Sequence, residues 1–232
     1  MRPDDLPEVR ELQPFKSMKE ENLAELMHAA FLQNFPAQVQ LITEGDRADF
    51  LFVVIEGCVE LYAKSNGREA VLAMVRPIGS FILAAVLKDA VNLMSARTTE
   101  KTRILMIPAQ NIRAAFEKDD AFARAIVIEL AGYFRAVVKE YKNLRLRTAV
   151  ERLANWLLKY HKDQGQAGEV KLPYDKRTLA SILGMTPENL SRAFGTLKPY
   201  GVSVNGGKVK LEDVEALEVL AKPNVLIDDR TT

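Results

Sequence analysis

The sequence predicts an α+β chain built from an N-terminal antiparallel β-roll, a long helix and a C-terminal winged helix-turn-helix. Three observations predict it. Four β-rich runs separated by Gly turns lie between Val39 and Val75, and apolar residues step by four and three from Ala123 to Leu144. Two short apolar helical stripes then flank Gly184-Met185-Thr186, and a hairpin follows them. These boundaries divide the chain into 1–118, 119–147 and 148–232.

Composition agrees with more than one module. The chain has 232 residues, 48% of them hydrophobic, enough to bury a sizeable core. Residues 171–211 hold seven Lys/Arg against two acids, a local +5 that leaves −4 for the remainder of a chain whose total is +1. A basic C-terminal module on an acidic body is expected where one part meets nucleic acid and the other does not; a solvated basic face fits the charge equally well. The lone Cys58 excludes an intrachain disulfide framework and suits a reducing cytoplasm. Met1-Arg2-Pro3-Asp4-Asp5 leads into no apolar signal core, and no apolar stretch is long enough to span a bilayer. The expectation is a cytoplasmic protein with no membrane partner.

Taken in order, Leu23, Leu26, Met27, Ala30 and Phe31 recur at helical spacing and predict a helix stopped by Pro36. Val39–Ile42, Phe50–Ile55, Cys58–Ala63 and Glu69–Val75 read as strands, with turns at Glu44-Gly45-Asp46, Glu56-Gly57 and Ser65-Asn66-Gly67. Ser95–Thr99 and Thr102–Ile107 follow an apolar insertion, and Ala109–Phe116 reads as a short helix. Asp119 or Asp120 can cap a helix running to about Arg147, whose seam comprises Ala123, Val127, Leu130, Phe134, Val137, Tyr141 and Leu144. A seam kept over three heptads favours a homodimer over packing on its own domain. A helix over Val150–His161 ends at Gln164-Gly165-Gln166-Ala167-Gly168.

Leu179, Ile182 and Leu183 form one stripe of the helix-turn-helix, and Leu190, Phe194 and Leu197 the other. Gly184 suits a left-handed cap, Thr186 can accept the first free N–H groups of the second helix, and Pro187 fits its first position. That helix then presents Glu188, Asn189, Ser191 and Arg192 near its N-terminal end, where a recognition helix meets base edges. Arg can donate two parallel hydrogen bonds to guanine, Glu can accept from cytosine N4, and a Ser hydroxyl serves several acceptors. Lys176, Arg177, Thr186, Lys198 and Lys208 are assigned to the DNA backbone, where contacts fix register without conveying sequence. Val202–Val204, Asn205-Gly206-Gly207 and Lys208–Leu211 read as the wing.

With these residues the sequence closely resembles the family of the catabolite activator protein and the fumarate-nitrate regulator over nearly its whole length. Glu44-Gly45-Asp46 followed by Phe50 to Val59 is similar to the family's sensor-roll signature, and Gly79-Ser80-Phe81-Ile82 to the start of its effector cassette. Glu188 with Ser191-Arg192 resembles the Glu-x-x-Ser-Arg pattern of the fumarate-nitrate branch, because Pro187 and Ser191 replace the Arg and Gly of the catabolite-activator branch. The resemblance implies a cyclic-nucleotide-binding-like roll, a homodimer on double-stranded DNA, half-sites of the TTGAT kind in an inverted repeat, and an activator that touches RNA polymerase through Lys64–Glu69. For that loop a solvated hairpin turn is the competing reading.

The sensor is less defined. Relatives that bind cyclic AMP hold its ribose with Gly-Glu and its phosphate with Arg-Ser; an ungapped count from Gly79 puts Leu83 and Ala84 at the first pair and Met94 and Ser95 at the second. A buried phosphate without a cation would be costly, so cyclic AMP is not expected. Phe81, Leu83, Ala84, Leu87, Met94 and Ser95 then mark a candidate effector pocket, either filled by its own side chains or open to an apolar ligand such as haem. His28 and His161 are the only imidazoles available for haem, and the cysteine cluster an iron–sulfur centre needs is missing. No Ser/His/Asp or Cys/His set, metal-ligand spacing or phosphate loop points to an enzyme. The remaining alternative is a ligand-binding regulatory module that acts through protein contacts.

Overall fold

The computed structural model describes residues 6–165 and 168–229. Contacts divide the chain into two compact units, Met1–Tyr133 and Phe134–Thr232, and the division falls within a single helix. The first unit opens with α1 (Leu6–Arg10) and α2 (Glu20–His28), followed by β1 (Phe31–Phe35), β2 (Gln40–Ile42), β3 (Phe50–Glu56), β4 (Val59–Ser65), β5 (Arg68–Val75) and β6 (Ser80–Phe81). It continues through α3 (Leu83–Lys88), β7 (Ser95–Thr98), β8 (Thr102–Pro108) and α4 (Ala109–Lys118) into α5 (Asp120–Leu146).

Its strands form two antiparallel sheets, ordered β1-β8-β3-β6 and β2-β7-β4-β5. The continuous apolar run of β3 has a physical reason: alternate side chains enter different cores. Phe52 and Val54 pack with Val59, Leu61, Ala96 and Ile104, a cluster drawn from both sheets. Leu51, Val53 and Ile55 pack instead with Leu23 and Leu26 of α2, Ile112 of α4 and Phe122 and Ile126 of α5. Between β3 and β4 only glycine fits, because Gly57 has φ +86° and a Cβ there would stand 2.6 Å from the Lys101 carbonyl oxygen. Asp119 caps α5, its Oδ1 accepting from the Phe122 N–H at 2.9 Å.

One expectation is corrected, and one segment left without an assignment gains its elements. The first helix ends at His28, and Phe31 belongs to β1, where it pairs with Met106 of β8 and sets its ring edge-on to Phe50. Sheet pairing overrides the helical spacing of Ala30 and Phe31, and Pro36 ends a strand rather than a helix. The apolar insertion is structured: the two-residue β6 pairs with β3, and α3 follows it.

The second unit contains the rest of α5, then α6 (Ala149–Asp163), β9 (Glu169–Lys171), α7 (Lys176–Ile182), α8 (Pro187–Leu197) and a short 3-10 turn at Lys198–Tyr200. β10 (Val202–Asn205), β11 (Lys208–Leu211), α9 (Val214–Ala221) and α10 (Val225–Asp228) complete it. Thr148 and Glu151 close a reciprocal capping box on α6. Leu153 and Leu157 of α6, Leu179 of α7, Leu190, Phe194 and Leu197 of α8, Val209 of β11 and Leu217 of α9 share one core. The wing hairpin gains a third strand, β9, in the order β10-β11-β9. Of the turn expected after α6, Gln166 and Ala167 lie outside the described residues.

Candidate nucleic-acid interface

Two side-chain caps fix the helix-turn-helix. Asp175 Oδ1 accepts from the Thr178 N–H at 2.7 Å to start α7, and Thr186 Oγ1 accepts from the Asn189 N–H at 3.3 Å to start α8. Between them Gly184 takes φ +61°, a conformation that costs other residues energy. With Leu190, Ala193, Phe194 and Leu197 buried, α8 has one outward face, which exposes Glu188, Asn189, Ser191 and Arg192. The Glu188 carboxylate is held below the usual range by its own backbone N–H, by the Thr186 hydroxyl and by the Arg192 charge. Ser191 Oγ donates to the Pro187 carbonyl at 3.0 Å, a local bond that an exposed hydroxyl can exchange for a base.

The basic residues differ in what engages them. Lys176, Arg177 and Lys198 are exposed and, among the described residues, make no ion pair. Lys208 meets Glu169 across the β11–β9 pair at 2.6 Å, and Lys210 meets Glu212 at 2.8 Å. Both pairs face solvent and hold their lysines weakly. The Thr186 hydroxyl is occupied by its capping bond.

The turn before α8 is anchored by Arg152 of α6. Its Nε donates to the Leu183 carbonyl at 2.8 Å, Nη2 to Gly184 at 3.3 Å and Nη1 to Arg147 at 2.7 Å. The guanidinium thus sits where α5 and α7 both end, and the carbonyls there carry the negative ends of the helix dipoles. Nothing in local spacing identifies this residue, because its two partners in the turn lie about thirty positions away.

The α5 seam is exposed as spaced: Val127 by 56%, Phe134 by 70%, Val137 by 66% and Tyr141 by 61%. Leu130 differs, because it packs partly against the core of the first unit, and Leu144 lies against Gly184.

The six candidate pocket residues do not converge. Phe81 stacks on Phe52 with ring centroids 5.0 Å apart, and Met94 packs against the same cluster. Leu83 and Leu87, four apart on α3, turn into the other core, and Ala84 is exposed. Ser95 Oγ accepts from the Glu44 N–H at 3.0 Å. The helix α3, absent from the sequence reading, is the reason: it rotates alternate members of the apolar run to different sides. A polar cluster was also missed. Ser80 Oγ and the Tyr133 hydroxyl each donate to Glu129 Oε1 at 2.6 Å, and Glu129 Oε2 is buried with no hydrogen-bond partner. Burial and the Glu129 hydrogen bond push the Tyr133 hydroxyl well above its usual value. The i, i+4 spacing of Glu129 and Tyr133 beside the apolar seam was the available signal.

The residues present do not fit haem. The apolar cluster shared by the two sheets contains no histidine, His28 is exposed at the end of α2, and His161 is buried in α6 of the second unit. Cys58 is buried, and burial pushes its thiol up, away from the thiolate a metal needs. Among the described residues no group of three His, Cys, Asp or Glu is placed to hold a metal ion, and no helix is long and apolar enough to cross a membrane.

Family models match both halves of this architecture: the cyclic nucleotide-binding domain over residues 32–119 and the Crp-like helix-turn-helix domain over residues 151–220. The chain belongs to the CRP/FNR family. As a CRP/FNR-family protein it is a DNA-binding transcription regulator, in a family that is typically dimeric and generally non-enzymatic. It is similar to the nitrogen fixation regulation protein FixK of Rhizobium meliloti (strain 1021), 24% identical over 188 residues, covering 81% of each chain. It is also similar to the CRP-like cAMP-activated global transcriptional regulator of Mycobacterium tuberculosis, 22% identical over 190 residues, covering 79% of this chain and 85% of that protein. The structure of FixK2 from Bradyrhizobium japonicum shares the fold with a TM-score of 0.70 at 24% identity, covering 84% of this chain and 98% of that one.

Proposed function

We propose that this CRP/FNR-family regulator binds as a homodimer to an inverted repeat similar to TTGAT-N4-ATCAA, with Arg192 on a guanine and Ser191 and Glu188 on its neighbours. The observation that carries the reading is the outward face of α8, where these three side chains stand exposed on the N-terminal half of a helix capped by Thr186. Lys176, Arg177 and Lys198 hold phosphates, joined by Lys208 once its exposed pair with Glu169 opens. Val127, Phe134, Val137 and Tyr141 supply the dimer contact.

Control does not run through cyclic AMP. Ala84 is exposed on α3 and Met94 sits in an apolar cluster, so neither the acid nor the cation for ribose and phosphate is present. Arg97, the cation on the neighbouring strand β7, is already engaged by Glu60 and Glu69. The stacked Phe52 and Phe81 favour a roll filled by its own side chains, and the protein works without haem or an iron–sulfur cluster. It acts in the cytoplasm as an activator, with the exposed hairpin tip at Ser65-Asn66-Gly67 turned to RNA polymerase.

The test is selection from a randomised duplex pool across a salt series. The reading requires a palindromic consensus and a steep loss of affinity as salt rises. A protein that enriches no sequence acts through protein contacts instead.

A further inference from the structure

After α9 the chain turns back along α5. Asn155 Nδ2 of α6 donates to the Ala221 carbonyl at 2.6 Å, Lys222 reverses the chain with φ +47°, and Asn224 starts α10 by accepting from the Leu226 N–H at 2.9 Å. The returning segment is tied at three places to α5 and to Arg147, the residue that follows it. Arg147 donates Nη1 to Asp228 Oδ1 at 2.7 Å and Nη2 to Oδ2 at 2.6 Å, Lys139 Nζ donates to the Asp229 carbonyl at 2.6 Å, and Lys142 Nζ donates to the Leu226 carbonyl at 3.4 Å. The Arg147 side chain is only 7% exposed, so the bidentate pair is shielded from solvent on the arginine side, and it exceeds an ordinary surface ion pair. Burial raises the Asp228 carboxyl, but the hydrogen bonds from Arg147 and from the Asn224 N–H outweigh it and keep it ionised.

The position of this pair gives it a consequence. Arg147 is the residue between the last turn of α5 and Thr148, the cap of α6, so the whole winged-helix module hangs from α5 at that junction. Its side chain is held by Asp228 and its carbonyl by Arg152, which in turn holds the turn before α8. The strap leaves the dimer stripe free, since Phe134, Val137 and Tyr141 stay 70%, 66% and 61% exposed beside it.

We propose that Asp228 is a positioning residue for DNA reading: by clamping Arg147 it fixes the angle between α5 and the winged-helix module, and so the distance between the two recognition helices of the dimer. It contacts no base. The proposal rests on the homodimer and inverted-repeat reading above, since only a protein that reads two half-sites at once responds to their separation.

The experiment measures full-length wild type, Asp228→Asn and Asp228→Glu on duplexes carrying the selected half-site once, or twice with spacers of three to six base pairs, alongside sedimentation of each protein. Wild type is expected to prefer one spacer. Asp228→Asn should remain a dimer and keep its single-half-site affinity within about twofold, yet lose on the order of tenfold on the preferred spacer, a coupling of ordinary size. Asp228→Glu, which retains a carboxylate for Arg147, should restore most of the preference. An Asp228→Asn dimer with wild-type spacer preference overturns the proposal alone. Equal losses on single and paired half-sites overturn it too, by giving Asp228 a merely structural role in the module. A wild type indifferent to spacing overturns the inverted-repeat reading along with it.

Discussion

Leu144 Cδ2 stands 2.7 Å from the point a Cβ on Gly184 would occupy, so the last turn of α5 closes over the turn of the helix-turn-helix. Gly184 has φ +61°, where an L-residue costs about 1–2 kcal/mol. The Leu144 methyl is the far end of a flexible side chain and can move aside. Gly184→Ala is therefore expected to lower stability by about 1–2 kcal/mol without abolishing folding, seen as a lower urea midpoint at unchanged slope. An unshifted midpoint would show that the turn tolerates a side chain.

Exposed seam residues make the second prediction. Val137 is 66% exposed and contributes little to the fold of a single chain. Val137→Glu should give monomers by sedimentation with an unchanged circular dichroism spectrum, because a carboxylate in a paired seam must be desolvated. A dimer that survives would move the interface off this stripe.

The seam also marks how far the sequence could be read. Steps of four and three run through Val127, Phe134, Val137, Tyr141 and Leu144, all of them exposed on α5, yet the same periodicity cannot tell a partner helix from a neighbouring element, and Leu130 packs against the core of its own unit. The stripes and caps of α7 and α8 were legible because each signal is local: Asp175, Thr186 and Pro187 act within four residues. β6 was too short to show an alternation, and seven consecutive apolar residues at 81–87 could not be divided between strand and helix. Ser80 with Glu129, and Arg147 with Asp228, pair groups 49 and 81 positions apart, which no window along the chain brings together.

Asp119 supplies a pH dependence with a defined sign. Its buried carboxylate accepts from Asn22 Nδ2 at 2.8 Å, the Lys19 N–H at 3.0 Å and the Phe122 N–H at 2.9 Å. Burial raises the carboxyl, but these hydrogen bonds prevail and hold it below its ordinary 3.8. A group depressed in the folded state stabilises fully above the unfolded value, and that contribution is lost as pH falls through the folded one. Asp119→Ala, which strands three donors, should cost about 2–4 kcal/mol at neutral pH in chemical denaturation. The gap between wild type and variant should shrink below pH 3.8. A gap constant down to strong acid would mean that the carboxylate is not the species bound.

Arg192 and Lys176 separate base reading from backbone holding. Arg192 is exposed on the outward face of α8, one turn beyond Glu188, whereas Lys176 opens α7 behind the Asp175 cap. A bidentate arginine discriminates its base, so Arg192→Ala should cost about 1–3 kcal/mol on the selected site and flatten the preference at one base pair. A lysine on phosphate carries no such information. Lys176→Ala should weaken selected and scrambled duplexes alike and lower the salt slope by roughly one unit. Selection by both variants from one randomised pool distinguishes the two behaviours. Retention of every wild-type base preference by Arg192→Ala would remove α8 from the major groove and leave the basic residues as a nonspecific surface.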